Sequence, residues 1–242
     1  MNFITRVKRF INEYLFNAKW CCNACGKEIF NDKYFCDDCI KKLPFNDKSV
    51  CDHCGRKVAT ATPFCSTCKE RLLSIDKGRS AFVYDKPISY LIQGAKYDKR
   101  LYLLEAFADY LAPIYLKNYF NADYFCFIPM TDKAKKKRGY NQSQLLCEKL
   151  SQKVNVPVLD CLEKVKETNR QAKLGRQDRL KNLEGAFRVK DRKNVKDKTL
   201  LIVDDVTTTG ATAEIVASAL KKSGAKCVYL LAVASVPSKS GY

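Results

Sequence analysis

Eight of the 13 cysteines stand in two copies of one pattern, in which a Cys-x-x-Cys pair is followed ten residues later by a second such pair. In each copy the first pair runs into a glycine and a basic residue, and the second pair runs into helix-like sequence. A tight turn and the first turn of a helix can present four thiolates to one tetrahedral ion, which is a closed structural zinc site. The predicted zinc ligands are Cys22, Cys25, Cys36 and Cys39 in the first copy and Cys51, Cys54, Cys65 and Cys68 in the second.

Free buried thiols and disulfides are the alternative interpretations of these cysteines. An odd total of 13 cannot be fully paired within one chain, and the spacing occurs twice, so zinc is favoured. The pairs could hold one ion per copy or could interleave. One ion per copy is favoured because each copy contains both a turn pair and a helix pair. Cys21 lies outside the repeated pattern and is not expected to bind metal. The other four cysteines stand in apolar stretches and are expected to be thiols of the core: Cys126, Cys147, Cys161 and Cys227.

A second segment whose residue types could bind a ligand or take part in a reaction runs from Leu200 to Thr212. Its four leading apolar residues predict a buried strand, with Asp204 and Asp205 at the carboxyl end, where open α/β sheets bind ligands. These carboxylates could accept hydrogen bonds from ribose hydroxyls and bind Mg²⁺ through water. Hydroxyls and amides at the start of a helix suit a phosphate. The phosphate-binding candidates are Thr207, Thr208, Thr209, Gly210, Ala211 and Thr212.

A simple strand exit followed by a helix N-cap is the alternative interpretation of this segment. A cap needs only one polar residue, whereas the eight positions from Asp204 to Ala211 hold two acids, three hydroxyls and a glycine. The excess favours a binding site for a phosphorylated sugar.

The elements that must position these residues alternate along the chain after about Asp76. Apolar runs predict strands over 80–84, 124–128, 199–203 and 228–234, and helical spacing predicts helices over 88–97, 101–119, 142–154 and 211–223. Strands that alternate with helices indicate an α/β fold with a mostly parallel sheet flanked by helices.

Three domains are expected: 1–19 as an amphipathic helix, 20–75 as two tandem zinc-binding repeats with four cysteine ligands each, and 76–242 as the α/β domain. The N-terminal helix has a basic face, so it could contact a membrane surface weakly, although packing on its own domain is favoured. Little apolar sequence lies between the zinc ligands, so metal is expected to drive the folding of 20–75.

The chain is strongly basic, with 44 Lys and Arg against 26 Asp and Glu and a formal net charge of +18. Such a charge favours a nucleic-acid partner, because Lys and Arg contacts with phosphates release counterions; high solubility is the alternative. No apolar run reaches the ~18 residues that a membrane span needs. Charged residues interrupt every apolar stretch near the N-terminus, so no secretory signal is predicted and a cytoplasmic protein is expected.

The segment 200–212 closely resembles the loop that binds 5-phosphoribosyl-1-pyrophosphate (PRPP) in type I phosphoribosyltransferases. Over about residues 20–235 the chain resembles the ComF competence family, which joins cysteine-rich zinc modules to such a domain. Further segments carry the resemblance: Arg138-Gly139-Tyr140-Asn141-Gln142, Lys96-Tyr97, and a block with Thr168, Gln171, Arg179, Asn182 and Gly185-Ala186-Phe187.

The resemblance implies a type I phosphoribosyltransferase fold preceded by zinc modules, and a site for PRPP with Mg²⁺. It implies that Asp204 and Asp205 face the ribose hydroxyls and Mg²⁺, and that the loop after Ile128-Pro129, with Lys137 and Arg138, holds pyrophosphate. Lys96 joins the PRPP-binding set, and Asp204, Asp205 and Arg138 are the catalytic candidates. The segment 166–182, with Arg170, Lys173, Arg176 and Arg179, corresponds to a mobile loop that closes over PRPP.

Two classes of function follow from the resemblance and the charge. One is a phosphoribosyltransferase, either on an unknown acceptor in DNA uptake or on a small nitrogen acceptor unrelated to DNA. The other is a binding protein that uses the fold to grip phosphate or sense PRPP while it handles incoming single-stranded DNA. Tyr97, Tyr102 and Tyr140 stand among basic residues and could stack bases. Competence and DNA-translocation proteins are partners that the family implies.

Overall fold

A computed structural model describes residues 21–30, 34–69, 74–166, 183 and 185–238. The predicted helix over 1–19 and residues 167–182 of the predicted mobile loop lie outside these ranges. The described helices are α1 (Asp37–Ile40), α2 (Ser66–Lys69), α3 (Ile88–Tyr97), α4 (Tyr102–Lys117), α5 (Asp132–Arg138), α6 (Gln142–Val154) and α7 (Ala211–Lys222). The described strands are β1 (Lys77–Val83), β2 (Tyr124–Phe127), β3 (Leu162–Lys164), β4 (Phe187–Val189), β5 (Thr199–Thr207) and β6 (Cys227–Ser235).

The central sheet has the strand order β1-β6-β5-β2, and every neighbouring pair is parallel. This confirms the predicted α/β fold with a parallel sheet. Strand β5 is longer than the predicted 199–203, because β6 continues to pair with it through Asp204↔Ala232 and Thr207↔Ser235. The two acids therefore lie inside the last part of the strand rather than after its end.

Each face of the sheet carries its own buried core. Leu201 and Val203 of β5 pack on the side of α3, α4 and α6, together with Phe107 and Leu146. Leu200 and Ile202 pack on the side of α7. Successive side chains of a strand point to opposite faces, so both faces of β5 are apolar, as a central parallel strand requires.

The cysteine-rich segment is joined closely to the sheet. Residues 44–46 run antiparallel to β1, with hydrogen bonds from Val83 N to Pro44 O (2.8 Å) and from Asn46 N to Ala81 O (2.9 Å). Cys22, Phe35 and Leu43 are buried in the same core as Phe82. The first copy of the cysteine pattern thus shares the hydrophobic core of the α/β domain, in addition to whatever stability its metal supplies.

Two elements of the structure were not predicted from the sequence. The basic run that follows Pro129 was expected to be a loop, but its residues form helix α5. Thr131 caps the start of this helix by accepting a hydrogen bond from Ala134 N, and Gly139 ends it with a φ of +87°. The second element is the antiparallel pair β3-β4, whose strands are only three residues long each. Among the described residues, no helix is long and apolar enough to cross a membrane.

Candidate functional site

The structure groups the eight predicted zinc ligands into two sets of four, one for each copy of the pattern. We call them the first zinc unit (residues 22–39) and the second zinc unit (residues 51–68). Within each unit the four Sγ atoms lie within 4.8 Å of one another. Each second Cys-x-x-Cys pair stands at a short helix, α1 or α2, as the sequence predicts. The grouping is the one favoured from the sequence, not the interleaved one.

The spacing of the sulfurs fits zinc. A tetrahedral ion with Zn–S bonds of about 2.3 Å has edges of about 3.8 Å between its sulfurs. The Sγ atoms of Cys25 and Cys36 are 3.8 Å apart, and those of Cys54 and Cys65 are also 3.8 Å apart. A disulfide would need a separation of about 2.05 Å. Both four-cysteine sets therefore have the donors and the spacing of structural zinc sites.

The two carboxylates of β5 contact residues from different helices. Asp205 Oδ2 lies 2.7 Å from Lys96 Nζ, at the end of α3. Asp204 Oδ1 accepts hydrogen bonds from Ser143 Oγ (3.0 Å), at the start of α6, and from the backbone N–H of Asp205 (2.9 Å). The sheet thus brings Lys96 and Ser143, which are far in sequence from the acidic pair, to the same edge of the domain as Asp204 and Asp205.

Burial and charge set the protonation of this cluster. Burial lowers the pKa of Lys96, but the neighbouring Asp205 carboxylate opposes this effect, and the net result is a raised pKa. Burial and then the nearby charge of Asp205 raise the pKa of Asp204 to about 7, although Lys96 acts in the opposite direction. Without a bound cation, the cluster therefore holds one firmly charged lysine and an aspartate that is half protonated near neutral pH.

Replacing Asp204 with asparagine is expected to change how stability depends on pH. The folded-state pKa of Asp204 is raised above the ordinary value of 3.8, so the folded state keeps a proton that the unfolded state has lost, and stability falls as pH rises from about 4 to about 7. Asparagine cannot ionise. Asp204→Asn should match wild type near pH 4 and exceed it at pH 8 by about 4 kcal/mol, measured by urea unfolding without ligand.

The exposed Asp98 provides the control for this measurement. An Asp98→Asn variant should show the same pH dependence as wild type between pH 4 and pH 8. A stability difference between Asp204→Asn and wild type that does not change across this range would contradict the assigned protonation.

The predicted phosphate-binding residues form the turn between β5 and α7. Gly210 has a φ of +76°, which an L side chain rarely adopts, and it is the N-cap position of α7. Thr209 Oγ1 accepts a hydrogen bond from Ala211 N (3.3 Å). Thr207 Oγ1 is buried and has no hydrogen-bond partner in the part of the chain that the structure describes. A buried hydroxyl without a partner beside a helix N-terminus fits a ligand with oxygen acceptors.

Arg138 contacts Tyr97 and Gln142, the chain neighbours of Lys96 and Ser143, and Lys137 is exposed on the same helix as Arg138. The Arg138 guanidinium stands 5.2 Å from the centre of the Tyr97 ring and donates to Gln142 Oε1. Tyr140 donates its hydroxyl proton to the carbonyl of Ala95 (2.6 Å), so its ring is anchored to α3. The structure thus brings the predicted segments 138–142 and 96–97 together.

Three residues at this edge were not among the predicted site residues. Ser143 holds Asp204, Gln142 holds Arg138, and Arg56 of the second zinc unit lies against Gly210. Gln142 is the last residue of the segment 138–142, which resembles a family motif, and Ser143 directly follows it. That motif could therefore have indicated both residues. No sequence pattern connects Arg56 with Gly210, because that contact depends on how the second zinc unit packs against the sheet.

Two family models match the chain. The phosphoribosyl transferase domain matches residues 141–241, and the double zinc ribbon domain matches residues 12–69. These matches agree with the parallel sheet and with the two four-cysteine sets, and they support the predicted type I phosphoribosyltransferase fold preceded by zinc modules.

Competence protein F of Haemophilus influenzae is 30% identical over 210 residues, which cover 84% of this chain and 79% of that protein. The chain belongs to the ComF family of competence proteins. The ComF assignment is consistent with two further relatives. Competence protein ComFC of Streptococcus pneumoniae is 34% identical over 62% of this chain and 64% of its own length, and DNA utilization protein YhgH of Escherichia coli K12 is 30% identical over 60% and 66%.

Among solved structures, the purine phosphoribosyltransferase of Pyrococcus horikoshii covers 59% of this ComF chain and 87% of its own chain, at 18% identity and a TM-score of 0.35. A TM-score this low carries no weight in the assignment.

Proposed function

We propose that this ComF protein binds PRPP with Mg²⁺ in its phosphoribosyltransferase-like domain and acts in the cytoplasm on single-stranded DNA taken up by the cell. The observation that carries the first half is the convergence of Lys96, Asp204, Asp205 and Arg138 beside the turn 207–212. Acidic oxygens for a sugar and its metal, basic side chains for a pyrophosphate and a helix N-terminus for a phosphate together support a single site for PRPP.

Each part of the ligand has a matching group. Carboxylate oxygens of Asp204 and Asp205 suit the ribose hydroxyls and Mg²⁺, which prefers oxygen ligands. The turn 207–212 suits the 5′-phosphate, with the buried hydroxyl of Thr207 as one donor. Arg138 and the exposed Lys137 suit the pyrophosphate, whose charge Mg²⁺ also neutralises when it is bound. In ligand-free protein the ammonium of Lys96 forms an ion pair with Asp205.

Calorimetric titration of the purified protein tests PRPP binding. We expect one site that binds PRPP in the presence of Mg²⁺ and binds it much more weakly when the metal is chelated, because pyrophosphate then meets the acidic pair without a cation between them. Ribose 5-phosphate and pyrophosphate should each bind more weakly than PRPP. Absence of heat and of any thermal stabilisation with PRPP–Mg²⁺ would refute this part of the proposal.

Single-stranded DNA is the second part of the proposal, and a basic and aromatic strip on α3 and its neighbours supports it. Tyr90 and Tyr97 lie two turns apart on α3 and are 60% and 57% exposed. Each ring has an arginine beside it: Arg100 lies 5.5 Å from the centre of Tyr90, and Arg138 lies 5.2 Å from the centre of Tyr97. Exposed aromatic rings flanked by basic groups bind single strands by stacking on bases and attracting phosphates.

Replacing Tyr90 and Tyr97 together with alanine is expected to weaken binding of an unstructured oligodeoxythymidine by at least about 30-fold, since two stacked bases contribute about 1–3 kcal/mol each. Tyr119→Ala is the control, because Tyr119 is 81% exposed but lies outside the strip. Fluorescence anisotropy over a range of salt concentrations measures both variants. Equal affinity of wild type for duplex and single strands, or an equal effect of the control, would count against this site.

A further inference from the structure

Arg56 of the second zinc unit is buried beside the turn that precedes α7. Arg56 is only 7% exposed, although an arginine on a small surface module is ordinarily solvated. Its Nη2 atom lies 3.0 Å from the position that a Cβ on Gly210 would occupy. Glycine at 210 thus leaves room for the guanidinium directly at the N-terminus of a 12-residue helix.

The positive charge of Arg56 has no ion-pair partner among the residues that the structure describes. Within the described ranges, no carboxylate forms an ion pair with its guanidinium and no group accepts a hydrogen bond from it. The surrounding residues remove part of the hydration of the guanidinium without supplying a partner, and the positive end of the helix dipole adds repulsion. An anion at this position would relieve both effects, because a guanidinium and the amides of a helix N-terminus are donors of the kind that bind phosphate.

Backbone contacts hold Arg56 in this position. Gly55 has a φ of +68°, and a Cβ there would come within 2.4 Å of Gly78 O. Gly78 N donates a hydrogen bond to His53 O (2.6 Å), so the turn of the second zinc unit lies directly on β1. Lys27, the equivalent residue of the first zinc unit, is exposed. The two copies of the repeat therefore place their basic residue in different environments.

We propose that Arg56 is a ligand-binding residue of the phosphoribosyl site and contacts the 5′-phosphate of a sugar phosphate held by the turn 207–212. The inference rests on the proposed function and extends it by naming a residue outside the phosphoribosyltransferase-like domain. A phosphate monoester presents two oxygens that match the fork of a guanidinium. The second zinc unit would then complete the site, and loss of its zinc would weaken binding of the sugar phosphate.

Two structural roles for Arg56 compete with this proposal. Glu214 borders the same small cavity, and its Oε1 accepts a hydrogen bond from Ser74 N (2.6 Å) while its Oε2 is buried without a partner among the described residues. In the first structural role, Arg56 would form an ion pair with Glu214 that fastens the second zinc unit to α7. It could also balance the charge of a zinc ion with four thiolates, since Cys54 and Cys68 border that cavity too. Either role would affect stability or zinc retention rather than phosphate affinity.

Titrations of three ligands separate these possibilities. Ribose 5-phosphate, PRPP–Mg²⁺ and pyrophosphate–Mg²⁺ are titrated into wild type, Arg56→Met and Lys57→Met, where Lys57 is the exposed neighbour with the same charge. We expect Arg56→Met to weaken both sugar phosphates by about 10- to 100-fold, the effect of a lost hydrogen bond to a charged group. Pyrophosphate should bind unchanged, and Lys57→Met should match wild type. Arg56→Lys keeps the positive charge but loses the two-pronged guanidinium. Its affinity for the sugar phosphates should lie between those of wild type and Arg56→Met.

Zinc content and the unfolding midpoint are measured for the same proteins and for Glu214→Gln. The proposal expects Glu214→Gln to retain its affinity for ribose 5-phosphate. Folded Arg56→Met protein that binds ribose 5-phosphate as wild type does would overturn the inference. So would an equal loss of stability in Arg56→Met and Glu214→Gln without a change in affinity for the sugar phosphates. If wild type binds neither sugar phosphate, the proposed function fails first and this inference fails with it, a result distinct from the other two.

Discussion

Replacing Asp204 and Asp205 together with alanine is expected to reduce the affinity for PRPP–Mg²⁺ by at least about 100-fold, because two charged acceptors contribute about 1.5–3 kcal/mol each. Both carboxylates stand on the last part of β5, between Ser143 on one side and Lys96 on the other. Without them, the ribose hydroxyls lose their acceptors and the metal loses its anionic oxygens. Calorimetric titration at pH 8, where Asp204 is ionised, measures the effect.

Asp37→Ala/Asp38→Ala is the matched control for the acidic pair. These two residues are also adjacent and carry the same charge, but they are exposed in the first zinc unit. The control should bind PRPP–Mg²⁺ as wild type does. Circular dichroism verifies that both double variants are folded. Unchanged affinity in folded Asp204→Ala/Asp205→Ala protein would refute the placement of the ligand at this edge of the sheet.

Replacing Cys65 and Cys68 together with serine is expected to reduce the bound zinc from two ions to one per chain. Both cysteines are buried, and they pack with Cys51 and Val58 in a small cluster of their own. A structural zinc contributes about 10–16 kcal/mol in model peptides, which this small apolar cluster cannot replace. The second zinc unit should unfold locally, Arg56 should leave Gly210, and the affinity for PRPP–Mg²⁺ should fall because the proposed contact of Arg56 with the 5′-phosphate is lost.

Cys36→Ser/Cys39→Ser in the first zinc unit provides the comparison. Cys36 belongs to the same core as Phe82 and Leu111, so loss of the first zinc should lower the unfolding temperature of the whole chain more than loss of the second. Atomic absorption counts the zinc, and calorimetry follows unfolding. Two retained zinc ions in either serine variant, or an intact affinity for PRPP–Mg²⁺ after loss of the second zinc, would contradict these expectations.

Much of the architecture was predictable because local sequence patterns carry it. Apolar runs of four or more residues predicted the four strands of the parallel sheet, and helical spacing predicted α3, α4, α6 and α7 within a few residues. Strand β5 was predicted too short. Its extension to Thr207 depends on pairing with β6. Polar residues such as Asp204 have a low propensity for strands, so their sequence does not predict one. Helix α5 was missed because a run of basic residues resembles a solvated loop.

The candidate site was predictable to the extent that its residues stand in short motifs. Asp204, Asp205 and the turn 207–212 are contiguous, so their shared position follows from one segment. Their partners are not contiguous. Lys96 contacts Asp205 because α3 ends at this edge of the sheet. Ser143 contacts Asp204 because α6 begins at the same edge.

The sequence by itself determined the eight zinc ligands and their repeat, the parallel α/β domain and the acidic and hydroxyl-rich turn, because each is written in spacing that a short stretch of chain can satisfy. Only the tertiary structure decided how the zinc units join the domain. The repeat places a basic residue after the same glycine in both copies, but Lys27 is exposed and Arg56 is buried against Gly210. The difference arises from the close contact of Gly55 with Gly78, a long-range packing of backbone on backbone that no local pattern encodes.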